Sequence, residues 1–206
     1  MNLRLAPIAA ATALFAFPVT TAFAQTAPST DPAKVPAGAY AVESSHTRVL
    51  FAINHMGFTT YYGDFTGVSG SLTVDPAKPA ASAVSVSIPT ASISTTNATL
   101  DAELKAADWL DAAKYPTITF KTTSVTPTGA STADVTGDLT LHGVTKSVTL
   151  AAKFNAVGPN IMTRKITVGF DGTAHIKRSD FGVTKYVPLI GDQVDVIISA
   201  AFEKVG

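Results

Sequence analysis

Gly137-Asp138-Leu139-Thr140-Leu141-His142-Gly143-Val144-Thr145-Lys146-Ser147-Val148-Thr149-Leu150 reads as two alternating strands joined by a two-residue turn, and this hairpin decides the fold class. A loop at His142-Gly143 sets the register: Leu141 opposite Val144, Gly137 opposite Val148, Val135 opposite Leu150 and Ala133 opposite Ala152. The other face then pairs Thr140 with Thr145 and Thr136 with Thr149. One face is apolar and the other hydroxyl-rich. A type I′ turn needs positive φ at both loop positions, which Gly143 supplies freely and His142 tolerates, so His142 is read as a turn residue. Lys146, opposite Leu139, is the one intrusion on the apolar face. At a strand end its stem can lie on apolar surface while the ammonium reaches water.

The same alternation recurs outward from the hairpin. Its second arm continues through Ala152 and Phe154; then Ile166, Val168, Phe170, Gly172, Ala174 and Ile176 alternate without error, as do Val194, Val196, Ile198, Ala200 and Phe202. Upstream, Ile118 and Phe120 open a strand after Tyr115-Pro116, and Val84, Val86 and Ile88 form one that stops at Pro89. Asp75 to Pro79 is a turn, because proline cannot donate to a central ladder. Further upstream, Thr47, Val49, Phe51 and Ile53 share a face until Asn54-His55-Met56-Gly57 breaks the pattern. Tyr61, Gly63 and Phe65 alternate on odd positions, whereas Gly70, Leu72 and Val74 alternate on even ones. That change of parity requires a bulge or tight bend between Thr66 and Ser69, with Gly67 as the permissive residue.

One stretch has helical spacing. Leu100, Leu104, Ala107 and Leu110 fall on one face over Asn97–Lys114, with Asn97 or Thr99 as N-cap and a break possible at Asp108. The lone tryptophan, Trp109, is either a core or lid anchor or a ligand contact. The count is about eight long strands with short turns and one helical insertion. An all-β, closed antiparallel barrel suits it better than an open layer.

Alternating strands allow two opposite barrels, one soluble with its apolar face inward and one in an outer membrane with that face outward. A membrane barrel carries aromatic girdles at both strand ends, yet aromatics are only 8% here and lie mostly at mid-strand apolar positions, which favours the soluble form. An eight-stranded barrel either fills itself or leaves room for one small ligand, and the many inward Val and Ala and repeated Gly favour room. The wall is expected to include Phe51, Val84, Val86 and Phe120 from the first half of the chain. The second half contributes Leu150, Phe154, Phe170, Ile176, Val196 and Ile198. Each is the apolar member of an alternating strand.

Residues 1–24 read as an export signal: Arg4, an apolar run through Ala9–Phe17, and the cleavage pattern Ala22-Phe23-Ala24. Pro18 interrupts the run, which is short for a spanning helix, and no later apolar run is long enough to cross a bilayer as a helix. Residues 25–38, rich in Ala, Pro, Ser and Thr, read as a flexible lead-in, with order starting near Tyr40 in a single domain over residues 39–206. The balance of 15 basic and 15 acidic residues offers no basic patch for nucleic acid. Zero cysteines exclude a disulfide framework and thiolate chemistry.

Catalytic and metal signals are weak. His46, His55, His142 and His175 match no recognised ligand pattern, and no nucleophile elbow, P-loop or dinucleotide fingerprint occurs. His46 and His55 are expected at opposite ends of one strand. Asp180 is read as a turn residue or a partner of Arg178. No catalytic residue, metal site or cofactor is assigned, and a hydrolase or metal-binding barrel using the histidines stays an alternative.

A run of motifs adds to this. Tyr40-Ala-Val-Glu43-Ser-Ser-His46-Thr-Arg-Val49-Leu-Phe51 leading to His55-Met-Gly57, then Gly63-Asp-Phe65, Tyr115-Pro116-Thr-Ile-Thr-Phe120, the hairpin Gly137–Lys146 and Arg178-Ser-Asp-Phe-Gly182 together resemble the YceI-like family. The resemblance spans nearly the whole mature chain. It implies an exported, periplasmic, lipocalin-like barrel whose elongated apolar cavity holds an amphiphile, in some members a polyisoprenoid, and it implies no enzymatic activity. Leu100-Asp101-Ala-Glu103-Leu104 departs from the family's Arg-Asp-x-His-Leu pattern by replacing both basic positions, which bears on whatever those groups do for an anionic headgroup. Glu43 in place of Asp and Val68 in place of an aromatic are milder departures.

Overall fold

The computed structural model describes residues 27–206, so the expected export signal and its cleavage point lie outside the described residues. Ten strand segments follow in chain order. They are β1 (Gly38–Val42), β2 (Arg48–His55), β3 (Thr59–Phe65), β4 (Ser69–Val74), β5 (Ala83–Pro89), β6 (Thr117–Pro127), β7 (Thr132–Leu141), β8 (Val144–Pro159), β9 (Ile166–Lys177) and β10 (Ile190–Lys204). Neighbours pair in the order β1-β4-β5-β6-β7-β8-β9-β10, and β10 returns to β1. β2 continues β1 along the rest of β10, and β3 lies beside β2 as a continuation of β4. Each of these pairs is one long strand with an interruption, which makes a closed eight-stranded antiparallel barrel. The ring closes through β10 and β1, while β3, last in the order, carries only the Asp64–Ser94 bridge on its outer side among the described residues.

The two interruptions have local causes. Between β1 and β2 the Thr47 hydroxyl, 2% exposed, donates to the Glu43 carbonyl (2.8 Å) and accepts from the Ala201 amide (3.1 Å), so the kink stays tied to β10. Between β3 and β4 Gly67 takes φ 67°, the left-handed region that the parity change calls for.

The β7–β8 hairpin has the register read from its sequence, from Leu141 opposite Val144 to Ala133 opposite Ala152. His142 and Gly143 take φ 51° and 75°, as a type I′ turn demands. Outward-facing hydroxyls meet across the hairpin, with Thr136 and Thr149 2.9 Å apart and Thr140 and Thr145 2.8 Å apart. Lys146 is exposed.

Two expectations need correction. The described part of the lead-in is not loose: Ser29 exchanges backbone hydrogen bonds with Val157 (2.8 and 2.9 Å), and Asp31 caps a short turn over Pro32–Lys34. Val35 is then buried against Tyr40, whose hydroxyl donates to the Pro36 carbonyl at 2.6 Å. Composition indicated a linker because one apolar residue and one two-bond bridge leave no periodicity. The helix is also shorter than Asn97–Lys114. α1 covers Ala98–Lys105, with Asn97 accepting from the Thr99 and Leu100 amides. Ala106 turns out of the helix at ψ 167°, and turns through Asp111, at φ 45°, carry the chain to β6.

Candidate functional site

The alternation aims one side chain in two at the barrel axis, and the axis is only partly filled. Around β1, β8, β9 and β10 the interior is solid: Tyr40 and Val168 are fully buried, and Phe202, Phe154, Val157 and Leu72 pack on them. Phe154, Phe170 and Phe202 form a chain of edge-on rings with centroids 5.7 and 6.2 Å apart. The rest of the lumen is a cavity of about 820 Å³. Its lining reaches from Leu100, Trp109 and Tyr186 at one end to Pro76, Pro127 and Ser131 at the other, so it runs along the barrel.

All ten wall positions expected from the alternation line this cavity: Phe51, Val84, Val86, Phe120, Leu150, Phe154, Phe170, Ile176, Val196 and Ile198. Phe120 and Phe154 are buried; the other eight point inward and are nevertheless only half-buried, because the space beside them is empty. Inward glycines act differently from the expectation that they leave room. A Cβ on Gly63 would overlap the Phe51 ring, and one on Gly137 would overlap the Phe120 ring. These glycines let two aromatic rings lie along the wall instead of across the lumen.

Groups that the sequence did not bring together form the mouth. α1 and the turns after it lie over one end of the barrel, held to β3 by the backbone exchange between Asp64 and Ser94 (2.8 and 2.9 Å). Asp101 accepts from the Thr95 amide and hydroxyl (2.6 and 2.7 Å) and fixes the start of the helix. Trp109 is 8% exposed and lines the cavity, and its indole N–H donates to Glu103 Oε1 at 3.0 Å. Thus Trp109 is anchor and wall together. Opposite it, Arg178 is 5% exposed and donates through its three nitrogens to the carbonyls of Gly191 (2.8 Å), Val183 (2.9 Å) and Ile190 (3.0 Å). Burial pulls its pKa down, opposed by the nearby Asp192 carboxylate. Of the two roles open to Asp180 it takes the turn, within Arg178–Phe181, and makes no pair with Arg178: it is exposed, and Asp192 holds the turn by accepting from the Ser179 amide (2.9 Å) and hydroxyl (2.7 Å). Those two bonds lower the Asp192 pKa. Lys185 completes the group, tied to Glu103 at 3.3 Å and to Asp108, with its ammonium 5.5 Å from the Trp109 ring and 5.1 Å from that of Tyr186.

The histidines stay apart. His46 pairs with Glu43 before β2, His55 lies beside Tyr61 at its far end, and His175 meets Asp195 at 2.7 Å. His142 contacts the Phe181 carbonyl at 3.0 Å and the edge of Tyr115. Among the described residues no three His, Asp or Glu side chains gather as a metal site would require.

Known proteins share this architecture. BcnA of Burkholderia cenocepacia has a crystal structure 28% identical to this chain that superposes with a TM-score of 0.71, covering 78% of this chain and 98% of BcnA. A polyisoprenoid binding domain from Saccharophagus degradans, 15% identical, shares the fold with a TM-score of 0.64, over 82% of this chain and all of the domain (100%). In sequence, a UPF0312 protein of Ectopseudomonas mendocina (strain ymp) is 43% identical over 162 residues, which is 78% of this chain and 84% of that protein. The YceI-like domain model matches residues 40–202, from the buried Tyr40 in β1 to the buried Phe202 in β10. With all of the closed ring inside that match except the first two residues of β1 and the last two of β10, the chain belongs to the YceI-like domain family.

Proposed function

We propose that the protein is an exported periplasmic carrier that holds one long-chain apolar or amphiphilic lipid, a polyisoprenoid among the candidates, inside its barrel for storage or transport. It performs no catalytic step. The observation that carries this reading is the continuous apolar cavity of about 820 Å³ with half-buried walls. That volume lies in the upper part of the range of about 300–1,000 Å³ usual for ligand sites. A long chain suits a space that runs along the barrel, because its methylenes bury apolar wall at every level. The fold shared with the S. degradans polyisoprenoid binding domain agrees with this ligand class.

An outer-membrane barrel is disfavoured by which face is which. Here the cavity takes the Val, Ile, Leu and Phe positions, while Thr136, Thr140, Thr145 and Thr149 point outward from β7 and β8. A lipid-facing wall needs the reverse. The test is to purify the protein from its native cells, extract it with organic solvent and identify what is released by mass spectrometry. One long-chain amphiphile per chain is expected. An empty native protein that also takes up no long-chain lipid after purification would overturn the reading.

A further inference from the structure

The charges around the cavity restrict its cargo beyond chain length. Arg178 is the only lysine or arginine among the described residues lining it. Each of the three nitrogens of that guanidinium is engaged by a backbone carbonyl, and the group is packed 5.5 Å from the Trp109 ring. The nearest other cation, Lys185, is held between Glu103 and Asp108. At the mouth, among the described residues, Arg178 therefore reaches the lumen with three of its five N–H groups already given to backbone carbonyls, and Lys185 is shared between two carboxylates. Glu103 also lines the mouth, with its side chain 42% exposed. Its Oε1 receives the indole N–H and the Lys185 ammonium, and its Oε2 has no protein partner among the described residues.

Resting on the lipid-carrier reading, we propose that the cavity selects amphiphiles whose headgroup donates a hydrogen bond. Alcohols, phenols, amides and ammonium groups fit, with Glu103 as the acceptor. Phosphate and pyrophosphate esters are rejected. A carboxylate oxygen already oriented by Trp109 and Lys185 offers a charge-assisted bond to a hydroxyl and a stronger one to an ammonium. A phosphate brought to the same place meets Glu103 and Asp108, while Arg178 is held by three carbonyls and Lys185 is shared between the two carboxylates. Discrimination then comes from a repulsive element as well as an attractive one.

Three geranylgeranyl lipids that share one chain and differ only in headgroup separate these effects: the alcohol, the primary amine and the pyrophosphate. Each is titrated into delipidated protein, followed by native mass spectrometry and by the fluorescence of Trp109, the lone tryptophan beside the headgroup position. The alcohol and amine should bind at least about tenfold more tightly than the pyrophosphate. Glu103→Gln should keep the alcohol within a few-fold, remove the preference for amine over alcohol, and raise pyrophosphate affinity. Equal or tighter binding of the pyrophosphate to wild-type protein would overturn the proposal. So would a Glu103→Gln variant, folded by circular dichroism, that leaves the ratios among the three lipids unchanged. Failure of all three lipids to bind wild-type protein refutes the carrier reading itself, and this selectivity with it.

Discussion

The solid end of the barrel and its mouth are built from the same alternating strands, and they are held together by different forces. Around β1, β9 and β10 the inward positions are rings and branched chains that cross the lumen and touch, with Tyr40 and Val168 fully buried. At the mouth the closing segments are held by polar ties: Arg178 to three carbonyls, Asp192 to Ser179, and Asp101 to Thr95. Between them lies the hollow waist. Alternation decides which side chains point inward, but side-chain size and what backs each ring decide whether the inside is filled. Phe51 and Phe120 face inward as surely as Phe202 does. They leave the lumen open because Gly63 and Gly137 let them lie flat.

Removing a ring from the solid end should have the largest effect on stability. Tyr40→Ala deletes a side chain with no solvent exposure and should cost about 3–5 kcal/mol, the usual range for a buried aromatic cut to alanine. Tyr40→Phe loses only the bond to Pro36 and should cost about 1 kcal/mol. Urea denaturation at neutral pH measures both, and a small loss for Tyr40→Ala would erase the contrast between a packed end and a hollow middle. Next in size is Arg178→Met at the mouth. It keeps an unbranched chain but leaves three carbonyls without their donor, for an expected loss of about 2–3 kcal/mol. Stability within experimental error of wild type would show that water replaces the guanidinium freely and that the mouth is not held by it.

Much of this contrast is absent from the sequence for physical reasons. The hairpin register follows from a two-residue turn and a period of two, both of them local, so it could be read residue by residue. The eight-strand ring follows from the same period repeated, and the ten wall positions are its inward phase. The docking of the lead-in depends on Val35 and on a backbone bridge between Ser29 and Val157, and a backbone bridge leaves no side-chain pattern. For Asp180 the sequence allows a turn or a pair with Arg178, and only the turn, Arg178–Phe181, forms. The partners of Arg178 are carbonyls, which every residue has. Glu103 and Lys185 meet across 82 positions, and the one signal near them was Trp109, whose indole requires an acceptor when buried.

A smaller effect separates the two ends by pH. Hydrogen bonds from Ser179 depress the Asp192 pKa below the usual aspartate range. A carboxylate with a depressed folded-state pKa contributes stability that is present above its unfolded pKa and is lost as pH falls through the folded one. Asp192→Asn should therefore cost about 1 kcal/mol or less near neutrality, with the difference from wild type shrinking as pH drops below about 4. Tyr40→Ala, which removes apolar packing, should cost the same at both pH values. An Asp192→Asn penalty unchanged at low pH would mean that the mouth is not fastened by this charge.

The smallest expected change in stability is the most informative about the waist. Val196 and Val86 face the cavity and are half-buried, so a phenylalanine at either place has empty volume to enter. In a close-packed core the same enlargement forces side chains off their rotamers and typically costs about 1–3 kcal/mol. Here Val196→Phe and Val86→Phe should each change stability by less than about 1 kcal/mol, since the added ring displaces guest space and not neighbouring atoms. Val86→Asp at the same wall should be costly, because it leaves a carboxylate unpaired against apolar surface. The phenylalanine variants should also release less long-chain lipid on extraction than wild type, in proportion to the volume removed. Strong destabilisation by both would mean that the waist closes up in solution. Unchanged stability with unchanged lipid content would place the cargo somewhere other than along this wall.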